Sequence, residues 1–295
     1  MTMWLLKILA RLPLGVLYVF ADVAFVILYH IVRYRRKVVC SNLGEAYPDK
    51  SAADRRRIER RFYRHFADIT VETIKMQHIS DAEMARRMQF VNCDIADGLL
   101  RRGRSVAAYF AHIGNWEWAS SVTLASAMRP DVDAHFCQIY RPLRNAAVDR
   151  IMLALRSRFG AHSLPKTTAM RALLKLRSAG LPSITGFMSD QKPSHGDTGH
   201  YTMFLNRPTA IISGTEALAR RLGMAAVYWD MEKLSRGHYR ITMRLIADDV
   251  AATDHGYVTE TYARMLEASI NRNPEIWLWS HNRWKHPVAP ELCQS

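Results

Sequence analysis

The stretch "SVAAYFAHIGNWE" (Ser105–Glu117) decides the fold, because a strand-like apolar run in it is followed by a turn and the start of a helix. Its first part is short and apolar, which is typical of a buried strand. Gly114 then permits the backbone angles of a tight turn, and a helix is predicted over about residues 116–128. This order is typical of α/β domains, in which ligands bind at the carboxyl ends of strands.

The same alternation of strands and helices continues along the chain. Strands are predicted at 134–140 ("AHFCQIY"), at 181–190 ("LPSITGFMSD"), near "AAVYWDM" and near "HYRITMRLI". Helices are predicted at 145–160, about 167–179, 215–223 and about 254–271. We therefore predict an α/β fold with a central mixed sheet flanked by helices.

A long helix is predicted over residues 51–77, ahead of the sheet. Ser51 with Asp54 is a capping pattern at its start, and Ser80 with Glu83 predicts a further helix. The first half of the long helix carries Arg55, Arg56, Arg57, Arg60, Arg61 and Arg64. These arginines form either a solvated face or a surface that contacts lipid phosphates, where each basic residue adds about 1 kcal/mol.

An apolar run, Leu12–Val32, lies near the start of the chain and lacks the features of a cleaved signal peptide. It is about long enough to cross a bilayer, which takes roughly 20 residues. Because Asp22 is costly in hydrocarbon, a spanning helix, an interfacial helix and a buried core helix all stay open. The segment "RYRRK" (33–37) follows at once and is typical of a cytoplasmic flank. We predict membrane attachment, with most of the chain in the cytosol.

The formal charge of +14 predicts a polyanionic partner, either nucleic acid or an anionic membrane leaflet. The sequence has no pattern of a nucleic-acid-binding module, so we favour the membrane. The four cysteines have neither CxxC spacing nor a Cys/His pattern. A disulfide framework and a metal site are therefore not expected.

His112 and Glu117 are the candidate catalytic pair. A carboxylate that accepts one ring N–H of a histidine raises the basicity of the other nitrogen, which can then take a proton from a hydroxyl group. The sequence has no GxSxG nucleophile motif, which favours direct attack by an acceptor hydroxyl over an acyl-enzyme. A histidine that merely ends a strand is the alternative.

Five segments, in this order, resemble the lipid A biosynthesis (lauroyl/myristoyl) acyltransferases of the lysophospholipid acyltransferase superfamily. They are "AHIGNWE", "YRPLRN", "MSDQKP", "TEALARRLG" and "NPEIWLWSHNRWK". The resemblance covers nearly the whole chain. It implies a glycerolipid acyltransferase-like fold, with a membrane anchor over 1–37 and a catalytic domain over 38–295. Trp277 and Trp279, in the last segment, are expected either at the lipid interface or in the core.

The resemblance also assigns roles to single residues. His112 matches the general base and Glu117 the acid that orients it, while Arg156 and Asp190 match the family's other catalytic positions. Arg156 would hold a phosphate or the oxyanion, or pair with Asp190. The expected substrate-binding residues are Asn115 (which also shapes the turn), Arg141, Arg158 and Gln191.

The resemblance implies transfer of a fatty acyl chain from acyl carrier protein, with acyl-CoA as an alternative donor, to a hydroxyl of a lipid A precursor. A lysophospholipid or an aminolipid is the alternative acceptor. No metal or other cofactor is expected. The expected location is the cytoplasmic face of the bacterial inner membrane. The expected partners are the carrier protein, the anionic membrane surface and the lipid acceptor, and nucleic acid is not among them.

Overall fold

The computed structural model describes residues 3–126, 135–143, 145–194 and 198–293. The helices are α1 (Met3–Arg11), α2 (Leu14–Val26, continued by a π-helical turn at Ile27–Ile31), α3 (Arg36–Ala46), α4 (Ala52–Lys75), α5 (Asp81–Arg87), α6 (Cys93–Arg101), α7 (Ala146–Arg156), α8 (Ala169–Ser178), α9 (Gly214–Leu222) and α10 (Tyr257–Arg272). The strands are β1 (Met88–Val91), β2 (Val106–Phe110), β3 (His135–Tyr140), β4 (His162–Pro165), β5 (Ser183–Met188), β6 (Thr198–Phe204), β7 (Arg207–Ile212), β8 (Ala225–Ser235) and β9 (His238–Ala247).

The main sheet has the strand order β1-β9-β8-β2-β5-β3-β4. β8 and β9 are antiparallel, and every other neighbouring pair in this sheet is parallel. β2 lies in the middle and is buried along its whole length, which accounts for its apolar sequence. β6 and β7 form a separate antiparallel hairpin. The predicted α/β fold with a mixed central sheet is confirmed.

Both capping patterns of the helices before the sheet form in the structure. Ser51 Oγ accepts a hydrogen bond from the Asp54 backbone N–H at 3.1 Å, and Ser80 Oγ accepts one from the Glu83 N–H at 3.1 Å. α4 packs against α2, as its apolar face requires. Its buried side also carries polar residues at helical spacing: His65, Asp68 and Glu72. These three side chains form a buried polar layer between α4 and the rest of the protein.

The helix predicted after Gly114 takes a different form. Residues Trp118–Leu124 form a 3₁₀-helix, and residues 127 and 128 lie outside the described ranges. The hydroxyls of Ser120 and Ser121 donate to the backbone carbonyls three residues earlier. Such side-chain bonds compete with α-helical hydrogen bonding and favour the tighter helix.

α2 lies along the domain and buries one of its faces against it. Leu17, Ala21 and Phe25 are buried, and Asp22 accepts a hydrogen bond from Arg236 Nη2 at 2.8 Å. Residues Leu14–Ile31 are long and apolar enough to cross a membrane, yet only 28% of this window is buried. The outward side exposes a row of apolar residues: Val16, Val19, Phe20, Val23, Val26, Ile27 and Ile31. Asp22 therefore forms an ion pair with Arg236 and lies beside the exposed apolar row of α2.

Candidate active site

The candidate site lies where two neighbouring parallel strands end. β2 and β5 pair in register up to Phe110 and Met188. His112 comes just after β2, and Asp190 comes just after β5. Because parallel strands end at the same edge of a sheet, these two side chains lie side by side although 78 positions separate them in the sequence.

Asp190 holds the imidazole of His112. The His112 Nδ1 lies 2.8 Å from Asp190 Oδ1, and the His112 backbone N–H donates to Oδ2 at 3.2 Å. The Trp277 indole N–H also donates to Oδ2, at 3.0 Å. Burial by itself would raise the pKa of Asp190, but the contacts with His112 and Trp277 outweigh it and lower the pKa below its usual value. An ionised carboxylate at Nδ1 fixes the proton on that nitrogen.

The other ring nitrogen of His112 keeps its lone pair. Nε2 lies 3.1 Å from the amide nitrogen of Gln191, which can donate to it. The His112 side chain is 17% exposed, whereas that of Asp190 is 2% exposed. This arrangement can accept a proton at Nε2, while a buried negative charge stabilises the resulting imidazolium.

Glu117 pairs with Arg156 rather than with His112, which corrects the predicted contact. Both oxygens of Glu117 accept hydrogen bonds from Arg156, Oε2 from Nε at 2.8 Å and Oε1 from Nη2 at 2.6 Å. The chain turns at Gly114, which has a φ of +58°, and Glu117 then faces the end of α7. The alternative, in which Arg156 pairs with Asp190, also differs from the structure, since Arg156 bonds to Glu117.

The Glu117–Arg156 pair is bidentate and mostly buried, with side chains 10% and 17% exposed. Burial would lower the pKa of Arg156, but the hydrogen bonds and charge of Glu117 raise it above the usual value. The guanidinium is therefore charged and held in one orientation.

The predicted substrate-binding residues fall in different places. Gln191 lies beside His112, and Arg141 is exposed in the loop after β3. Arg158 donates to the carbonyl of Ile79, just before α5, and lies 3.9 Å from the carboxylate of Asp81. Asn115 is 1% exposed, and its side-chain oxygen accepts a hydrogen bond from a backbone N–H three residues later. Asn115 therefore shapes the turn, and its contact with substrate stays a prediction.

Glu72 is a residue of this region that the sequence prediction missed. Its Oε2 accepts hydrogen bonds from Asn115 Nδ2 at 2.8 Å and from the Tyr239 hydroxyl at 2.9 Å. Its Oε1 accepts one from the Tyr18 hydroxyl at 2.9 Å. Burial raises the pKa of Glu72, although Lys233 and these donors oppose the rise. The sequence signal that could have identified Glu72 is its position on the apolar face of the helix, three residues after Ile69 and four before Met76.

The segment after α10 completes the site. Ile113 and Trp277 form an antiparallel bridge, and the Leu278 N–H donates to the carbonyl of His112 at 3.0 Å. Trp277 and Trp279 are 3% and 0% exposed, so they belong to the core and do not face lipid. The sequence prediction left this choice open and did not link Trp277 to Asp190.

His281 and Arg283 bring two more ionisable groups close to Asp190. Burial lowers the pKa of His281 to about 4 and that of Arg283 to about 10, while the negative charge of Asp190 opposes both changes. Arg283 is 4% exposed and donates to the carbonyl of Ala210 in β7. The buried charge of Asp190 thus influences several groups around it.

A histidine held by a buried carboxylate at the carboxyl edge of an α/β sheet is typical of enzymes that take a proton from a hydroxyl group. A sequence model of the bacterial lipid A biosynthesis acyltransferases matches residues 1–286, and the chain belongs to this family. It is therefore an acyltransferase, and the family implies a lipid acceptor and association with bacterial membranes. No individual curated protein matches the chain.

Proposed function

We propose that this chain transfers a fatty acyl group from acyl carrier protein to a hydroxyl of a lipid A precursor. The observation that carries the proposal is the contact of His112 with Asp190 at the ends of β2 and β5. Nε2 of His112 takes the proton of the acceptor hydroxyl as its oxygen attacks the thioester carbonyl. The tetrahedral intermediate then expels the thiolate, which takes the proton from the imidazolium. No covalent acyl-enzyme and no metal or other cofactor take part.

Arg156 supplies a fixed positive charge to the same region. Its orientation by Glu117 supports a role in binding either a phosphate of the acceptor or the oxyanion of the intermediate. Glu117 in this proposal acts through Arg156, and Asp190 acts through His112.

The proposed location is the cytoplasmic face of the inner membrane. The exposed apolar row of α2 would enter the interface between headgroups and acyl chains. Arg33 and Lys37, directly after it, would face anionic headgroups.

The test is acyl transfer by purified wild-type protein and by His112→Ala. A matched control is His200→Ala, because His200 Nε2 lies 2.7 Å from Glu260 Oε2 and its side chain is 20% exposed, yet it lies outside the site. We expect His112→Ala to lose at least ~100-fold in rate and His200→Ala to stay active.

The assay uses a tetra-acylated lipid A precursor, a lysophospholipid and an aminolipid as acceptors, each with acyl carrier protein or CoA as donor. Transfer to the lipid A precursor from the carrier supports the proposal in full. Full activity of His112→Ala would contradict the general-base mechanism. Transfer only to another acceptor would contradict the proposal that the substrate is a lipid A precursor.

A further inference from the structure

A row of arginines on α4 has an unusual arrangement of charge. Arg56, Arg60 and Arg64 are exposed and spaced four residues apart, so they share one side of the helix. Like charges at this spacing repel each other. The free protein therefore gives up stability to keep these residues together.

Two neighbouring arginines of α4 are paired with carboxylates. Arg57 lies 3.0 Å from Asp54, and Arg61 lies 3.9 Å from Glu275. Within the part of the chain that the structure describes, no carboxylate forms an ion pair with Arg56, Arg60 or Arg64. Their charge is therefore available to an anionic ligand.

The same arginines line a groove of about 710 Å³ whose other wall contains Tyr29 and His30. The guanidinium of Arg64 lies over the ring of Phe25 on α2, 5.1 Å from its centroid. His30, in the wall of this groove, lies between Ile27 and Ile31 in the same helical turn, so the groove adjoins exposed apolar residues, with Ile27 42% and Ile31 71% exposed.

We propose that this groove binds the phosphodiester headgroup of an anionic bilayer phospholipid. Arginine matches phosphate in both charge and geometry. An acidic protein would also match the charge, but the adjoining apolar residues favour a lipid surface, where headgroups and acyl chains meet. The proposal does not rest on acyl transfer, since a chain without activity would still bind through this groove.

The test compares Arg56→Gln/Arg60→Gln/Arg64→Gln with a control triple of equal charge, Arg101→Gln/Arg171→Gln/Arg221→Gln. The control arginines are exposed on α6, α8 and α9. Binding is measured to vesicles of phosphatidylcholine alone and to vesicles with about 30% phosphatidylglycerol, and binding of acyl carrier protein is measured in parallel. We expect the groove triple to lose roughly 100-fold in affinity for the anionic vesicles, since one basic residue changes it about fivefold.

The control triple should keep most of its affinity, and the groove triple should melt no lower than wild type because repulsion is relieved. A His112→Ala variant should bind like wild type, which separates this site from the catalytic proposal. An equal loss of affinity for anionic vesicles in both triple variants would show that only the net charge matters, and it would contradict a specific site in the groove. If the groove triple binds vesicles like wild type but no longer binds acyl carrier protein, the ligand of the groove is an acidic protein and not a lipid headgroup.

Discussion

Asp190 receives three donors: the ring and the backbone N–H of His112 and the indole of Trp277. Both carboxylate oxygens are engaged, so the group cannot rotate. An asparagine at this position could place only one oxygen among these donors and would bring an N–H₂ group toward another of them. The negative charge that stabilises a protonated His112 would also be lost.

We expect Asp190→Asn to lower kcat at least ~100-fold with little change in KM, because binding groups stay in place while the base is misoriented. The matched comparison is Glu117→Gln, because the carboxylate of Glu117 in the wild-type protein contacts Arg156 and not His112. Nitrogen NMR of the imidazole should show an altered His112 tautomer in Asp190→Asn and a normal one in Glu117→Gln. The reverse pattern of spectra would return the orienting role to Glu117.

The sequence identified His112, Glu117, Arg156 and Asp190 as candidates but not how they pair. Glu117 is near His112 in the chain, so spacing favoured that pair. Which carboxylate faces the imidazole depends on β5 lying next to β2, and this is a property of the sheet order. Local sequence cannot supply it.

The turn that follows β2 depends on Gly114. Its φ of +58° is unfavourable for other residues, and a Cβ there would lie 2.5 Å from Met231 Sδ. Its N–H donates to the carbonyl of Ile276 at 2.9 Å, which ties the turn to the segment after α10. Strain and close packing therefore act at the same position.

We expect Gly114→Ala to lower the free energy of unfolding by about 2–4 kcal/mol, combining backbone strain with a displaced Met231. Gly103→Ala is the control, since Gly103 has a φ of +72° but open space around it. Strain alone should cost it about 1 kcal/mol. Urea unfolding of both variants measures the difference, and equal losses would show that contact with Met231 is unimportant.

α4 supports the same turn through Glu72, which binds Asn115, Tyr239 and Tyr18. We expect Glu72→Gln to cost about 2 kcal/mol, because a single amide oxygen cannot accept from all three donors. Activity should fall as well, since Asn115 loses its support. Glu232→Gln, at a more exposed position in β8, should change stability by less than about 0.5 kcal/mol. A Glu72→Gln variant with wild-type stability and rate would contradict this role.

Across the molecule, the central strands of the sheet were predictable and its edges were not. β2 is a continuous apolar run, and β5 is buried along nearly its whole length although Ser183 and Thr185 interrupt its apolar sequence, because both faces of these strands are covered. β1 and β4 have four residues each and are partly exposed at the two ends of the sheet, so their sequences carry little pattern. The β6–β7 hairpin was also missed. α3 was missed as well, although its buried Val39, Leu43 and Ala46 lie at helical spacing.

Buried histidines should make the stability of the whole fold depend on pH. Burial lowers the pKa of His65 well below its usual value, and the charge of Lys233 lowers it further. Burial likewise lowers the pKa of His281 to about 4. Both side chains stay neutral in the folded protein at pH values where an unfolded chain, with a histidine pKa of about 6.5, binds protons.

Because the unfolded state then binds more protons, the free energy of unfolding falls as the pH falls below about 6.5. We expect His65 alone to remove up to about 2 kcal/mol between pH 7 and pH 5, since a histidine that stays neutral in the folded state contributes at most about 1.4 kcal/mol for each unit of pH below about 6.5. Urea unfolding at both pH values measures the loss in wild type, in His65→Asn and in His78→Asn, an exposed control. His65→Asn should lose less stability on acidification than wild type, by that amount, and His78→Asn should behave like wild type. An unchanged acid loss in His65→Asn would mean that other groups, and not this layer beneath α4, govern the pH dependence.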